Sequence, residues 1–188
     1  MDSPQLTAHG GGVGIGPLRR ELVETYWRWE SDPVVMRGYG RTEPESLADR
    51  QAGLEVQLHG DNAHFTVYEL TGAQPRPVGI ASLSIDRAVR VAEFFICLGS
   101  EGRGHGYAAP AVRLVLEYGF DRLGLRNVLL NVLAPNSSAL RAYENAGFRV
   151  VGRRRDSGYW DGERCDEIVM DAVPGDVTAG VAGGCSRA

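Results

Sequence analysis

The sequence is short of the residues and segments that mark secreted, metal-binding and membrane proteins. Its three cysteines, Cys97, Cys165 and Cys185, are an odd number without close spacing, which predicts neither a disulfide framework nor a zinc site. Its four histidines show no metal-ligand spacing, so no metal is expected. No apolar run approaches the length of a membrane span, and the N-terminus lacks a basic stretch followed by an apolar one. We therefore expect a cytoplasmic protein with no membrane partner.

A surplus of basic charge is absent as well. Lys and Arg number 20 against 24 Asp and Glu, and the net charge of −4 argues against nucleic acid as the main partner. The 188 residues are 43% hydrophobic and 23% charged, which is ordinary for a soluble globular protein. This length supports one domain with a full core, or one domain with tails.

Glycine, by contrast, is concentrated in one stretch, 99–106, which we call the glycine-rich loop. It holds four glycines and lies between an apolar strand-like run at 91–98 and a helical pattern at 107–123. Glycine adopts positive φ readily, and the start of a helix adds unpaired N–H groups and the positive end of the helix dipole. This order predicts a site for phosphate oxygens, although a plain strand-to-helix turn has the same pattern.

The glycine-rich loop matches neither of two common nucleotide-binding motifs. No Gly-Lys-Ser or Gly-Lys-Thr follows the glycines, so the loop is not a P-loop. Gly102, Gly104 and Gly106 are too closely spaced for the dinucleotide fingerprint G-x-G-x-x-G.

The order of the predicted elements indicates an α/β domain. Two helical patterns, one from 21 and one from 43 to about 58, precede three strands at 63–70, 78–85 and 91–98. A helix, a strand at 127–133, a short helix and a hairpin turning at Asp161-Gly162 follow. Because a helix joins the strands at 91–98 and 127–133, these two strands are expected to be parallel. We expect a disordered leader at 1–12, a domain at 13–173 and a disordered tail at 174–188.

A second motif lies about thirty residues beyond the glycine-rich loop. Residues 136–148 keep the spacing N-x-x-A-x-x-x-Y-x-x-x-G-F, and residues 101–108 read E-G-R-G-H-G-Y-A. In this order the two motifs resemble the signatures of the GCN5-related N-acetyltransferase (GNAT) family, over roughly 13–173. Segments 26–33 and 161–166 look most like the branch of the ribosomal-protein alanine and spermidine acetyltransferases. Glu101 departs from the pattern, which often has Gln or Arg there, since a carboxylate cannot donate a hydrogen bond to phosphate.

The resemblance implies a single-domain fold with a mixed, mostly antiparallel sheet, a central parallel pair and flanking helices. It also implies acetyl-CoA as the cosubstrate and direct transfer of the acetyl group to an amine in a ternary complex. The pyrophosphate is then held by Arg103 and by backbone N–H groups, and the pantetheine arm pairs with the strand near 96–98. The residues expected to bind acetyl-CoA are Ile96, Cys97, Leu98, Arg103, Gly104, His105, Gly106, Tyr107, Ala108, Asn136 and Ser138.

Glu93 is the candidate general base. It is the only charged residue in the strand at 91–98, and alternation puts it on one face with Phe95 and Cys97. Apolar neighbours raise the pKa of a carboxyl group toward the range that suits a base, and the family often has its catalytic glutamate on this strand. The alternative is a glutamate that reaches solvent or pairs with Arg87 or Arg90. On the same face, Cys97 is expected to be a buried, inert thiol.

Tyr143 is the candidate general acid, because the second motif implies that it lies beside the thioester. The alternative is a core tyrosine, since Ala139, Ala142 and Tyr143 also form an ordinary apolar stripe. Asn136 is equally a helix cap and a CoA ligand. The loop histidine, His105, is given no catalytic role.

The acceptor site is expected to combine aromatic walls with acids that attract an amine. The alternative for the aromatic residues is a place in the core, and for the acids a solvated surface. The residues expected to bind the acceptor are Trp27, Trp29, Asp32, Tyr39 and Tyr159.

The leading hypothesis for function is an N-acetyltransferase acting on a small amine, such as a polyamine, amino sugar, amino acid or antibiotic. One alternative is acetylation of a peptide N-terminus, as the ribosomal-protein branch suggests. Another is a non-catalytic, regulatory acyl-CoA-binding module, against which the presence of both Glu93 and Tyr143 argues. A homodimer is compatible with the resemblance.

Overall fold

A mixed sheet of eight strands runs through residues 4–177, the part of the chain that the computed structural model describes. The strand order is β1-β2-β3-β4-β5-β6-β8-β7. The strands are β1 (Ala8–Gly10), β2 (Val13–Pro17), β3 (Ala63–Glu69), β4 (Arg76–Asp86), β5 (Val91–Leu98), β6 (Asn127–Leu133), β7 (Arg149–Trp160) and β8 (Glu163–Ala172). The helices are α1 (Val23–Glu30), α2 (Pro33–Gly38), α3 (Leu47–His59), α4 (Ala108–Asp121), α5 (Ser137–Ala146) and α6 (Pro174–Val177).

The predicted fold class is confirmed. β5 and β6 are parallel, as the helical connection requires, and the other neighbouring strands pair antiparallel. The hairpin of β7 and β8 turns at Asp161 and Gly162, which both have positive φ. In the described part of the chain, no helix has the length and apolar character needed to cross a membrane.

The larger core lies between the sheet and helices α4 and α5. Apolar residues recur every three or four positions along α4, so Val112, Val115 and Leu116 share one face and are fully buried. Phe94 of β5 packs there against Phe148, with ring centroids 5.9 Å apart. A smaller cluster on the other face joins Tyr26 and other residues of α1–α3 to Cys97. β5 therefore separates the two cores.

The central parallel pair separates before either strand ends. β5 and β6 are in register only at Val91–Asn127, Ala92–Val128 and Glu93–Leu129. Both strands continue for several residues beyond these pairs, but no longer pair with each other. The resulting gap opens at the end of β5 that leads into the glycine-rich loop.

Both ends of the predicted domain differ from the structure. Ala8–Gly10, expected in a disordered leader, forms β1 and pairs antiparallel with β2. Residues 174–177, expected in a disordered tail, form α6, whose Val177 is buried in the larger core. Residues 1–3 of the predicted leader and 178–188 of the predicted tail, which include Cys185, lie outside the described residues.

Candidate active site

The larger of two cavities fills the gap between β5 and β6 and has a volume of about 660 Å³. The ends of these strands, the glycine-rich loop, α2 and α5 form its walls. Most residues predicted to bind acetyl-CoA line it: Ile96, Cys97, Leu98, Arg103, Gly104, Gly106, Ala108, Asn136 and Ser138. His105 and Tyr107 do not line this cavity, and their rings instead stack on each other with centroids 5.5 Å apart.

The glycine-rich loop presents unpaired N–H groups to this cavity. Gly104 and Gly106 have φ of 78° and 77°, in the left-handed region that favours glycine. Within the described residues, the N–H groups of Gly104, His105 and Gly106 form no hydrogen bond. α4 begins at once with Ala108, without a side-chain cap, so the N–H groups of its first turn are also available. The donor set fits a phosphate or diphosphate group.

Arg103 is already engaged by protein groups. Its Nη2 donates to Asp32 at 2.8 Å, and its Nη1 donates to the Leu98 carbonyl at 3.2 Å. Burial tends to raise the pKa of Asp32, but the hydrogen bonds from Arg103 and from the Val34 N–H outweigh it and lower the pKa. Asp32 thus caps α2 and orients Arg103, and it lines neither cavity. Its predicted contact with the acceptor is not supported by this position.

Glu101 points away from the larger cavity and ties the glycine-rich loop to α1. Its carboxylate accepts hydrogen bonds from Arg28 Nη2 at 2.6 Å and from Trp29 Nε1 at 2.9 Å. Burial raises the pKa of Glu101, but these bonds and one from its own N–H outweigh burial and hold the pKa at about 2. Trp29 is only 2% exposed and belongs to the smaller core, so its predicted acceptor contact is a core position instead.

Tyr143 packs in the core and also lines the larger cavity, and its role as the acid stays a prediction. Its ring packs edge-on against Phe94 and Phe148, with centroids 6.2 and 5.9 Å away, and the residue also lines the larger cavity. Its hydroxyl forms no hydrogen bond within residues 4–177. Burial raises the pKa of Tyr143 to about 12, so the phenol is protonated at neutral pH.

Glu93 lies outside both cavities. It opposes Ser84 of β4 and Leu129 of β6 in the sheet, and its Oε1 accepts a hydrogen bond from Asn131 Nδ2 at 3.2 Å. Neither Arg87 nor Arg90 pairs with it within the described residues, whereas its partial exposure is compatible with the alternative of a glutamate that reaches solvent. The role of Glu93 as a base stays a prediction.

A smaller cavity of about 260 Å³ lies on the other face of β5. It shares Tyr39, Ile96 and Cys97 with the larger cavity, so the two meet at the end of β5. Of the residues predicted to bind the acceptor, Tyr39 alone lines either cavity. Tyr159 is 53% exposed, and Trp27 donates from Nε1 to the Glu45 carbonyl at 2.7 Å. The polar residues that line the smaller cavity are Glu30, Tyr39, Arg41, Arg50, Gln57, His64 and Ser82.

A partly buried ion pair between Arg50 and Glu30 lines the smaller cavity. Arg50, 3% exposed, donates from Nε to Glu30 Oε2 at 2.5 Å and from Nη1 to Gln57 Oε1 at 3.1 Å. Its Nη2 is buried and has no partner within the described residues. Burial raises the pKa of Glu30 although Arg50 partly offsets it, and burial together with Arg50 lowers the pKa of His64.

The junction between the cavities is formed by Tyr39 and Cys97. The Tyr39 hydroxyl donates to the Ile96 carbonyl at 2.6 Å, and burial of this group, with Cys97 and Tyr143 nearby, raises its pKa well above the ordinary value. Cys97 is 4% exposed, and burial raises the pKa of its thiol. The expected buried thiol is therefore confirmed.

Sequence reasoning missed Glu30, Arg50 and Gln57 because they come from two helices whose packing is not visible in the sequence. One signal was available: Arg50, Leu54 and Gln57 lie three or four residues apart and share a face of α3. Leu54 on that face is buried, so an arginine in line with it points inward rather than to solvent.

Comparison with known proteins identifies the family. The sequence model described as "Acetyltransferase (GNAT) domain" matches residues 13–149. The spermidine N(1)-acetyltransferase of Escherichia coli K12 is 28% identical over 84% of each chain. The L-amino acid N-acetyltransferase AaaT of the same organism is 29% identical over 69% of this chain and 74% of its own.

A solved structure shares the fold. The crystal structure of spermidine N-acetyltransferase from Vibrio cholerae in complex with CoA and spermine superposes with a TM-score of 0.82. It covers 90% of this chain and 99% of its own, at 23% identity. The family-model match over residues 13–149 defines the class: the chain belongs to the GNAT acetyltransferase family. It is an enzyme that takes the acetyl group of acetyl-CoA and transfers it to an amine.

Proposed function

We propose that this enzyme acetylates a primary amine of a small molecule, with acetyl-CoA in the larger cavity and the acceptor in the smaller one. The observation that supports this is the shared wall: Tyr39, Ile96 and Cys97 line both cavities. A thioester at the end of the larger cavity and an amine at the end of the smaller one can therefore approach each other. Direct attack in a ternary complex needs this arrangement.

The larger cavity fits acetyl-CoA on its own residues. The unpaired N–H groups at Gly104, His105 and Gly106 and the start of α4 suit the pyrophosphate. Beyond Glu93, the edge of β5 that faces β6 has no strand partner. On β5, the Ile96 and Leu98 carbonyls accept hydrogen bonds from the side chains of Tyr39 and Arg103 instead. An amide-containing arm that lies along this edge would exchange with those side-chain contacts.

The reaction needs one group that donates a proton to the thiolate and another that accepts a proton from the amine. Acetyl-CoA supplies an electrophilic thioester carbon and a thiolate leaving group. Tyr143, which lines the larger cavity and stays protonated at neutral pH, is the proposed donor to the thiolate. Glu93 remains the base predicted from the sequence, and Glu30 is a second candidate, because it lines the smaller cavity and burial raises its pKa.

The size of the smaller cavity supports a small-molecule acceptor over a peptide. Its volume of about 260 Å³ is just below the roughly 300–1,000 Å³ that is usual for small-ligand sites, so only a small acceptor fits. Relatives named for spermidine and for L-amino acids differ in the charge of their acceptors. They support a small amine without selecting its class.

The test combines acetyl-CoA calorimetry with turnover followed by thiol release. We expect saturable micromolar binding of acetyl-CoA, and weaker binding of dephosphorylated CoA. Tyr143→Phe should lower kcat by about 100-fold, the size of a general acid's contribution, while acetyl-CoA affinity is retained. Tyr118→Phe is the matched control, since Tyr118 of α4 packs on Phe65 outside both cavities.

The same assay separates the two candidate bases. The variant that removes the base, Glu93→Gln or Glu30→Gln, should lower kcat at neutral pH and regain activity at high pH, where the amine is already deprotonated. A loss of kcat that is the same at both pH values would argue against that residue as the base. Equal binding of acetyl-CoA and of free acetate would contradict the proposed function. Full turnover by Tyr143→Phe would contradict the proposed role of Tyr143 as the acid.

A further inference from the structure

We infer that the acceptor of this enzyme carries a carboxylate beside its amine, and that Arg50 binds this carboxylate. The inference rests on the proposed function, because it assigns the acceptor to the smaller cavity. It selects a zwitterionic acceptor of the amino-acid type over a polyamine.

The first observation is the incomplete hydrogen bonding of Arg50. A guanidinium has five N–H donors, and two of its three nitrogens in Arg50 donate to Glu30 and Gln57. Nη2 is buried without a partner, although the residue lines the smaller cavity. A buried donor without a partner is unfavourable, and an oxygen atom of a ligand in the cavity would satisfy it.

Arg50 is held too firmly to turn away from the cavity. Its guanidinium lies 5.6 Å from the centre of the Tyr26 ring, and its Nε bond to Glu30 fixes one edge of the group. Tyr26 is fully buried and is itself hydrogen-bonded to Thr66 at 2.6 Å. The free nitrogen is therefore part of an ordered site, as a carboxylate-binding arginine must be.

The second observation is the charge of the cavity lining. Two arginines, Arg41 and Arg50, face one carboxylate, Glu30, and that carboxylate already pairs with Arg50. His64 adds no negative charge. Burial and the nearby charge of Arg50 lower the pKa of His64, which favours its neutral form. A polycation would meet net positive charge here with a single carboxylate to bind it.

Both charged groups of a zwitterion are complementary to residues of this cavity lining. Its ammonium group is complementary to Glu30 and its carboxylate to Nη2 of Arg50, with the exposed Arg41 as a second cation. This arrangement also turns the amine of the acceptor toward the carboxylate of Glu30, which is a candidate base. Substrate binding and substrate orientation thus use one partly buried pair of charges.

The experiment compares matched acceptors that differ only in the carboxylate. Purified protein and saturating acetyl-CoA are tested with an amino acid, the amine formed by its decarboxylation, and spermidine. We expect kcat/KM for the amino acid to exceed that for the decarboxylated amine by about 10- to 100-fold, which corresponds to one hydrogen bond between charged groups. Equal values, or a preference for spermidine, would overturn the inference.

Variants then assign the preference to Arg50. Arg50→Gln should reduce the ratio of the two kcat/KM values toward one, mainly through the KM of the amino acid, and Arg50→Lys should restore part of it. Arg20→Gln is the control, because Arg20 pairs with Glu55 of α3 on the surface. If Arg50→Gln does not fold, Arg41→Gln, at an exposed position of the same lining, should lower the ratio too. A ratio unchanged in the cavity variants would overturn the role of the arginines.

Failure of this inference can be told apart from failure of the proposed function. If acetyl-CoA binds and amines are acetylated without regard to a carboxylate, only the inference is wrong. If acetyl-CoA binds but no amine of the panel is acetylated, or if acetyl-CoA does not bind, the proposed function is wrong as well.

Discussion

Glu101 departs from the family pattern but still holds the glycine-rich loop in place. A carboxylate cannot donate to phosphate, but here it accepts hydrogen bonds from Arg28 and Trp29 and so fixes the start of the glycine-rich loop on α1. The space next to Gly99 is filled by Trp29, which leaves no room for a side chain there. In the proposed site, the backbone N–H groups farther along the loop bind the phosphates.

Glu101→Gln should destabilise the protein in a pH-dependent way. Folding lowers the pKa of Glu101 from an ordinary value of 4.5 to about 2. The ionised carboxylate therefore adds stability above pH 4.5, and this contribution is lost as the pH falls toward 2. Because the carboxylate is partly exposed and screened, we expect a difference in unfolding free energy of about 1–2 kcal/mol at neutral pH.

The measurement is chemical denaturation of both proteins between pH 2.5 and pH 7. The difference between them should be constant above pH 5 and should shrink below pH 4.5. Glu24→Gln, at an exposed position of α1, is the control and should leave the profile unchanged. A pH-independent difference would show that the Glu101 charge is unimportant.

At the scale of elements, the site depends on the transition from β5 through the glycine-rich loop into α4. Gly104 and Gly106 have positive φ and line the larger cavity, and their N–H groups form no hydrogen bond within residues 4–177. Gly124, just beyond α4, also has positive φ, 65°, but lines neither cavity. A Cβ at Gly104 or Gly124 meets no atom within 4 Å, so both positions have room for a side chain. They differ in that only Gly104 lines the larger cavity.

Gly104→Ala should weaken acetyl-CoA binding, and Gly124→Ala should not. Each substitution imposes a similar backbone cost of about 1 kcal/mol, because an L-residue is strained at positive φ. Relief of that strain at Gly104 turns the N–H groups away, and we expect the Kd for acetyl-CoA to rise by about 10-fold, as for the loss of one hydrogen bond to a charged group. Calorimetry and thermal denaturation of both variants provide the check. Equal affinities would mean that the loop does not hold the phosphates.

At the scale of the whole molecule, the two cavities lie on opposite faces of β5. Helices α4 and α5 cover one face, α1 and α3 lie on the other, and the ends of β5 connect the two cavities. The larger cavity is lined by strands and helices that are distant in sequence, so acetyl-CoA bound there as proposed should stabilise the fold as a unit. The expected homodimer stays a prediction at this scale.

Acetyl-CoA should therefore raise the melting temperature. A ligand at 100 times its Kd adds about 2.7 kcal/mol to the stability of the folded state. For a chain of 188 residues, each kcal/mol shifts Tm by roughly 2–4 °C, so we expect an increase of about 5–10 °C. Differential scanning calorimetry gives the value, with sodium acetate as the control. The same shift with acetate alone would exclude specific binding.

Local sequence determined much of this protein. The glycine spacing, the Asn136–Phe148 motif and the alternation of helix and strand predicted the α/β fold and the parallel pair, and most of the residues predicted to bind acetyl-CoA line the larger cavity. These features lie within continuous segments, since a strand, a loop and the next helix are set by short-range backbone preferences and by periodic burial. The family resemblance had the same basis.

Only the tertiary structure decided the acceptor side. Trp29 and Asp32 are residue types that binding sites often contain. Trp29 is instead buried in the smaller core, where it donates to Glu101. Asp32 caps α2 by accepting from the Val34 N–H, and it pairs with Arg103 across the fold. Glu30 and Arg50 are twenty residues apart and pair only because α1 packs on α3. The physical reason is that burial and charge pairing depend on distances across the fold, which sequence spacing does not specify.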